Sequence, residues 1–327
     1  MRAFVVEKNE NGEISSSVKE FPKPICKENE VLIKVTYSSL NYKDALSSIG
    51  HSGVTRVFPH ITGVDVAGVV AESKSPIFKI GQRVVVTGYD LGMNTNGGHC
   101  EFVKVPASWI ISTPQSISDK EIMSYGTAGL TAALSVQELL NNGLNPEDSS
   151  VLVSGSSGGV GSISIAILNK LGFNVVAITT KSNKEEYLKS IGASEVILLD
   201  EFMKDSQKPL LSTNYDAVID SVGGDVLAQA LKQLKYDGVA TCCGLTSSYL
   251  LNTNVYPFIL RGVRLIGIDS VECKLEKKQE AWYKLAGSMK INCLNDIVNE
   301  ISLDEVKDIY SKLLNGESSG RYVVKIS

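Results

Sequence analysis

The segment that most limits how this chain can fold is Gly155-Ser156-Ser157-Gly158-Gly159-Val160-Gly161. It lies between an apolar strand candidate, Ser150–Ser154, and an apolar helix candidate that runs from Val160 to Leu171 and is stopped by Gly172. Gly155, Gly158 and Gly161 fall three residues apart. The first can turn sharply, the second admits a pyrophosphate to the backbone, and the third lets helix pack on strand. Amides at the helix start then face the phosphate oxygens. A glycine pattern alone is weak. Here strand, turn and helix occur in order and a second strand candidate, Asn174–Thr179, follows. No Gly-Lys-Ser/Thr comes after the glycines, which excludes a nucleoside-triphosphate P-loop.

The alternation continues. Ser182 with Glu185 predicts a capped helix through Tyr187, Leu188 and Ile191, ended by Gly192. Val196–Leu198, Ala217–Ile219, Val239–Cys242 and Arg264–Ile268 are short apolar strands. Apolar strands separated by helices predict a parallel sheet covered on both faces. The residues before about position 118 read otherwise. Val31–Tyr37, Gly63–Val70, Arg83–Thr87 and Glu101–Val105 are strands separated by turn residues, as in an irregular antiparallel barrel. Ser118 with Glu121 opens a helix that ends near Asn142-Gly143. Beyond Ser270, Leu275, Trp282, Leu285 and Met289 form one apolar stripe. Ser302 with Glu305 caps a further helix, and Arg321–Ile326 ends the chain as a strand returning to the first domain.

At 327 residues the chain is long enough for two domains. The expectation is an α/β protein: a mostly β domain from residues 1–124 and 271–327, and a doubly wound parallel-sheet domain from residues 125–270. A net charge of −4 argues against a broadly basic nucleic-acid face. No run of 18 apolar residues occurs, and Met1–Glu7 is a short strand-like run without the longer apolar core of a signal peptide. A cytoplasmic protein with no membrane partner is expected. The six cysteines, Cys26, Cys100, Cys242, Cys243, Cys273 and Cys293, include no Cys-x-x-Cys pair, and only three histidines occur, so no structural zinc site follows from local spacing. Free thiols are expected. His51, His60 and His99 read as surface or structural residues.

The second strand of the alternating region decides which dinucleotide the glycine turn suits. A chain preferring NAD places Asp or Glu at that strand's end, about 20 residues on, to bind the ribose hydroxyls. Here Thr179-Thr180-Lys181-Ser182 stands there instead. Hydroxyls and an ammonium suit a 2′-phosphate, so NADPH is the expected cofactor.

At Leu40-Asn41-Tyr42-Lys43-Asp44, Gly63-Val64-Asp65 and Gly97-Gly98-His99-Cys100-Glu101 the sequence resembles the medium-chain dehydrogenase/reductase superfamily. Gly81-Gln82-Arg83-Val84 and Gly126-Thr127-Ala128-Gly129 are further shared marks, and the resemblance covers essentially the whole chain. It implies a GroES-like catalytic domain and a Rossmann domain. Within the superfamily the chain is most similar to the zinc-free quinone oxidoreductase branch, and there to the NADPH-dependent acryloyl-CoA reductases of the YhdH type. That narrower likeness is carried by Leu40–Leu46, Ser157–Ser162, Pro257–Arg261 and Ile268–Val271 together. Zinc alcohol dehydrogenases of the superfamily carry Cys where Asn41 stands and His where Val64 stands, so the resemblance implies no metal.

The resemblance also assigns residues. Tyr42 falls at the nicotinamide end, Ser157, Gly158, Gly159 and Val160 at the pyrophosphate, and Thr179, Thr180 and Lys181 at the adenosine 2′-phosphate. Leu245, Ile259 and Ser270 line the nicotinamide and ribose, and Asn315 also reaches the cofactor. Relatives carry an Arg near the position of Leu199, and this chain does not. The implied reaction is hydride transfer to the β-carbon of an α,β-unsaturated acyl-CoA, acryloyl-CoA to propionyl-CoA, with Tyr42 and Asn41 as candidates for polarising or positioning the acceptor. Asp44 is expected to hold the local turn. Lys43, Arg56 and Arg261 are basic residues beside the matching strings, and the sequence assigns none of them to a CoA phosphate. A quinone or a reactive enal is the alternative acceptor, and a non-enzymatic NADPH-binding redox sensor is the alternative class. Relatives of this kind pair the edge strand equivalent to Arg264–Ile268 across a two-fold axis, so a homodimer is expected.

Overall fold

Short apolar runs separated by turn residues build the amino-terminal part of the chain as strands. In the computed structural model, which describes all 327 residues, these are β1 (Arg2–Lys8), β2 (Ile14–Glu20) and β3 (Glu30–Ser39). A short helix α1 (Tyr42–Ser48) follows, then β4 (His60–Ile61), β5 (Asp65–Ser73), β6 (Arg83–Thr87), β7 (Phe102–Pro106) and β8 (Ile111–Ser112). The helical stretch α2 (Asp119–Asn141) comes next. Strand and helix then alternate as β9 (Ser150–Val153), α3 (Gly159–Leu171), β10 (Asn174–Thr179), α4 (Glu185–Ser190), β11 (Glu195–Leu198), α5 (Leu199–Phe202), β12 (Tyr215–Asp220), α6 (Gly224–Leu231), β13 (Leu234–Cys242), α7 (Tyr256–Arg261) and β14 (Arg264–Gly267). The chain closes with α8 (Leu275–Leu285), α9 (Leu294–Ile297), β15 (Val298–Ser302), α10 (Val306–Leu314) and β16 (Arg321–Lys325).

Two compact units result. Met1–Thr127, Ser270–Ala286 and Val298–Ser327 form the first, and Ala128–Asp269 with Gly287–Ile297 the second. The first unit has a three-stranded sheet, β2-β1-β4, and a seven-stranded sheet in which β15-β16-β3-β5-β6-β8 run in that order and β7 also pairs with β3. Its pairings are antiparallel except for β15 with β16. Val31, Ile33, Val35, Val66, Val84, Val86 and Val103 point inward to one buried cluster. A second cluster joins Phe4, Val6 and Leu40 to Ile301, Val306, Ile309 and Tyr310 of the returning segment.

The second unit is a six-stranded, all-parallel sheet in the order β11-β10-β9-β12-β13-β14. Its strand order reverses between β9 and β12, and in doubly wound sheets that crevice is where ligands bind. Leu152, Val176, Ile178, Val218 and Ala240 are buried along it, which explains why these strands read as continuous apolar runs.

Local signals behave unevenly. Ser118 and Glu121 do form a box, with the Ser118 N–H donating to Glu121 at 2.9 Å, and so do Ser302 and Glu305, at 2.8 Å. Ser182 and Glu185 do not. Ser182–Lys184 is a 3₁₀ turn, no side chain caps it or α4, and the Glu185 carboxylate takes Lys189 at 2.7 Å instead. The carboxyl-terminal stripe is also shorter than its spacing suggests. Trp282 and Leu285 are buried in α8, but the helix stops at Leu285 and Met289 lies beyond it. No helix is long and apolar enough to cross a membrane. All six cysteines are free thiols.

Candidate active site

In the second unit the glycine turn follows β9, at the point where strand order reverses. Gly155 has φ +58, a left-handed backbone that glycine adopts at no steric cost. A Cβ on Gly161 would run into the carbonyl of Gly155 and come within 2.7 Å of Ser156 Cα, so helix and turn touch only because residue 161 is glycine. Gly158 caps α3 and has no side chain to donate to, and no side chain from elsewhere caps that end. The first-turn amides of a 13-residue helix are thus left for an external acceptor, and the dipole favours an anion there. A dinucleotide pyrophosphate fits this cradle.

A buried carboxylate sits beneath it. Asp220, at the end of β12, is fully buried and accepts from Ser154 Oγ at 2.5 Å and from the Gly223 N–H at 2.8 Å. The Ser221 N–H donates to Ser154 Oγ at 3.1 Å, so the ends of β9 and β12 are tied together at the reversal. Burial pushes the Asp220 carboxyl up and these bonds pull it down. Nothing local in sequence signals this role, because Asp220 and Ser154 lie 66 residues apart.

Ser157 is buried, Gly158 exposed, and Gly159 and Val160 half-exposed at the start of α3. Thr179 closes β10 in the core, Thr180 is exposed, and Lys181 precedes the 3₁₀ turn. Leu245 follows β13 and Ile259 lies on α7; they are 65% and 67% exposed. The phosphate-cradle, Thr179–Lys181 and Leu245 positions therefore gather at carboxyl ends of parallel strands, with Ile259 on the neighbouring helix. Ser270 and Asn315 belong to the first unit, Ser270 buried and Asn315 exposed at the end of α10.

The first unit carries a charged cluster around Asn41, the residue that caps α1. Asp44 accepts the Asn41 N–H at 2.8 Å and the Val64 N–H at 2.9 Å, which holds the turn as its sequence suggests. The Asn41 amide Nδ2 donates to Asp65 at 2.8 Å and to Asp44 at 3.3 Å, and its Oδ1 accepts from Arg321 at 3.1 Å. Asp65 also accepts from Ser39 Oγ and from the backbone and hydroxyl of Thr127, and lies 3.9 Å from the Arg321 guanidinium. Asp44 and Asp65 are both 0% exposed. Burial, helped by the Asp65 charge, raises the Asp44 carboxyl to about 7. Burial pulls the Arg321 guanidinium down, while Asp65 and Asp44 pull it up.

Gly126 explains why α2 breaks here. Its φ of 52 and ψ of −157 are not helical, and a Cβ would lie 2.5 Å from Ser39 Oγ, 2.6 Å from Arg321 Nη2 and 2.7 Å from Asp65 Oδ2. Sequence reasoning singled out neither Asp65 nor Arg321. The available signal was a carboxylate inside the apolar run Gly63–Val70, since a charge in a buried strand needs a partner.

Tyr42, the first residue of α1, is 43% exposed, and its hydroxyl makes no hydrogen bond within the chain. His60 and His99 are buried, His60 beside Ser47 Oγ at 2.6 Å and His99 beside Thr62 and Tyr310 hydroxyls at 2.9 Å. Burial lowers both rings to about 4, so they are neutral structural groups. Arg261 donates to the carbonyls of Lys232, Leu234 and Leu211, which commits it to the backbone and away from a CoA phosphate. Arg56 is exposed. No group of three or more His, Cys, Asp or Glu side chains is placed to hold a metal ion. At Asn41 the neighbours are two carboxylates already engaged by amides and a guanidinium, a set that does not suit zinc.

Residues 27–115 match the family model of the alcohol dehydrogenase GroES-like domain, and residues 159–288 that of the zinc-binding dehydrogenases. The crystal structure of the Salmonella enterica yhdH oxidoreductase in complex with NADP superposes with a TM-score of 0.96, at 38% identity over 100% of both chains. That of the Bacillus subtilis protein yhfP with NAD bound also gives 0.96, at 42% identity over 99% of each. The acrylyl-CoA reductase AcuI of Ruegeria pomeroyi is 36% identical over 99% of either chain.

Proposed function

Because this chain belongs to the medium-chain dehydrogenase/reductase superfamily and is an oxidoreductase of it, with that superfamily's GroES-like and Rossmann-type domains, we propose that it reduces the activated double bond of an α,β-unsaturated acyl-CoA with NADPH. Acryloyl-CoA, giving propionyl-CoA, is the substrate we assign. The observation that carries the reading is the uncapped glycine start of α3 at the reversal of strand order, which suits a pyrophosphate. Support for the acyl-CoA comes from the name of the Ruegeria relative.

When bound, the dinucleotide supplies the hydride. The amides of Gly159 and Val160, with Ser157 and Gly158 beside them, hold the pyrophosphate, and Thr179, Thr180 and Lys181 hold the 2′-phosphate. Leu245, Ile259, Ser270 and Asn315 complete the cofactor contacts. Negative charge develops on the acceptor's carbonyl oxygen as the β-carbon is reduced, and a donor must meet it. Both hydrogens of the Asn41 amide go to Asp65 and Asp44, so Asn41 serves as the positioning group. The unengaged hydroxyl of Tyr42 is then the donor at the acceptor. No metal takes part in this assignment. A homodimer would form through the open edge of β14.

Steady-state NADPH oxidation with acryloyl-CoA, with a benzoquinone and with buffer alone tests the function. The expected result is a kcat/KM for acryloyl-CoA well above that for the quinone. Preference for the quinone moves the assignment to quinone reduction, and no acceptor above the blank leaves a binding protein that does not turn over.

A further inference from the structure

Helix α1 has two different faces. Ala45 packs with Ile309 and Tyr310 of α10 in a buried cluster, and Asp44, Ser47 and Ser48 are buried as well. Tyr42, Leu46 and Ile49, the last just past the helix end, recur at i, i+4 and i+7 and so share another side. Leu46 is half-buried, while Tyr42 and Ile49 are 43% and 53% exposed. At the rise of an α-helix this apolar stripe leads about 10 Å away from Tyr42.

The loop that follows is held from within. The Thr55 hydroxyl, fully buried, lies 2.7 Å from Ser47 Oγ, which in turn lies 2.6 Å from His60 Nε2. The Val54 and Thr55 N–H groups donate to the His51 carbonyl at 2.9 and 3.0 Å, and the Arg56 N–H donates to Asn94 Oδ1 at 3.0 Å. The turn that carries Asn94 also packs toward Asn41. A Cβ on its Gly92 would come within 2.7 Å of the Gly63 backbone, and the Gly63 N–H donates to Asp44 at 3.2 Å. Arg56 and Val57 are thus exposed on a fixed backbone. The Arg56 guanidinium donates only through Nε, to the Ser52 carbonyl at 3.3 Å. Its two terminal nitrogens are free, a fork whose geometry matches a phosphate.

We propose that this stripe and loop are the coenzyme A subsite: Leu46 and Ile49 carry the pantetheine arm away from Tyr42, Val57 extends the apolar track, and Arg56 takes a phosphate at its end. The inference rests on the acyl-CoA reading above and places the part of the substrate which that reading leaves unplaced. Charge complementarity selects the occupant. A long uncharged arm that ends in phosphates matches an apolar track that ends in a free guanidinium, whereas a quinone or an enal has no group for Arg56. The backbone on either side of Arg56 is already fixed, so little ordering is left to oppose binding.

Steady-state kinetics of the wild type, Arg56→Gln, Arg56→Lys and Ile49→Ser with acryloyl-CoA, S-acryloyl-pantetheine and S-acryloyl-N-acetylcysteamine test it. Arg56→Gln should raise KM for acryloyl-CoA about tenfold with kcat kept, because a phosphate contact far from the reacting carbons serves ground and transition states alike. It should leave both truncated thioesters and the KM for NADPH within about twofold, and Arg56→Lys should restore part of the loss. Ile49→Ser should raise KM about fivefold for acryloyl-CoA and for the pantetheine thioester, and not for the shortest one. An unchanged KM for acryloyl-CoA in Arg56→Gln, or equal losses on all three thioesters, would overturn the subsite while the reaction stands. A wild type that oxidises NADPH with a benzoquinone and not with any acryloyl thioester removes the acyl-CoA reading itself.

Discussion

Asp65 fixes the direction in which Asn41 faces. The carboxylate can only accept, and takes Asn41 Nδ2 at 2.8 Å; on the other side Arg321 can only donate, and gives to Asn41 Oδ1 at 3.1 Å. The amide therefore has one orientation, and α1, which begins at Tyr42, starts from a fixed point. Asp65→Asn would leave Arg321 its bonds to the Leu40 carbonyl and Ser39 hydroxyl but remove the adjacent counter-charge. Urea unfolding at neutral pH should show a loss of about 3 kcal/mol, the usual cost of uncoupling one partner of a buried pair. A loss below about 1 kcal/mol would mean that Asp44 alone compensates the guanidinium.

The pH dependence of stability has two opposed contributions. His60 and His99 titrate at about 4 when folded and at 6.5 when unfolded, so their contribution is complete above pH 6.5 and is lost as pH falls toward 4. Asp44 runs the other way. Its folded value of about 7 exceeds the unfolded 3.8, so its contribution is complete below pH 3.8 and is lost as pH rises to 7. Each group contributes at most about 1.4 kcal/mol per pH unit inside its window. Two rings outweigh one carboxyl below pH 6.5, so these groups together should give a maximum near there. In Asp44→Asn the decline between pH 6.5 and 7 should vanish and the rise below it steepen. Denaturant midpoints measured from pH 4.5 to 8 decide the matter, and an unaltered curve in the variant would show that Asp44 is not the group responsible.

Gly158 and Gly161 should respond differently to valine. Gly158 has φ −82, open to any residue, and an added Cβ meets only the Gly155 carbonyl at 3.2 Å. Gly158→Val should keep its circular dichroism spectrum and its melting temperature to within a few degrees, yet weaken NADPH at least about a hundredfold, since the branched side chain occupies the pyrophosphate's place. Gly161→Val should fail to fold, because its Cβ collides with the backbone of the turn. Full NADPH affinity in Gly158→Val would relocate the phosphate site.

Tyr42→Phe isolates the hydroxyl. If it donates to the oxygen on which charge develops, turnover with acryloyl-CoA should fall at least about tenfold while NADPH affinity holds, because the contribution arises in the transition state. Intact turnover would leave Tyr42 only a stacking role.

What the sequence determined by itself was whatever closes within a few residues or repeats with a regular period. The glycine turn after β9, the boxes at Ser118 and Ser302 and the apolar strands of the parallel sheet all belong there, since a hydrogen bond across three residues or an unbroken Val/Ile/Leu run does not depend on distant partners. Even locally the limit shows at Ser182, where the capping pattern is present but a 3₁₀ turn forms and Glu185 turns to Lys189. Only the tertiary structure decided the charged cluster. Asn41 meets Asp65 across 24 residues and Arg321 across 280, and position 126 must be glycine because those groups occupy the space a Cβ would need. The burial that lifts Asp44 and the engagement of Arg261 by three carbonyls likewise follow from packing, because the cost of removing a charge from water depends on what surrounds it and not on its neighbours in sequence.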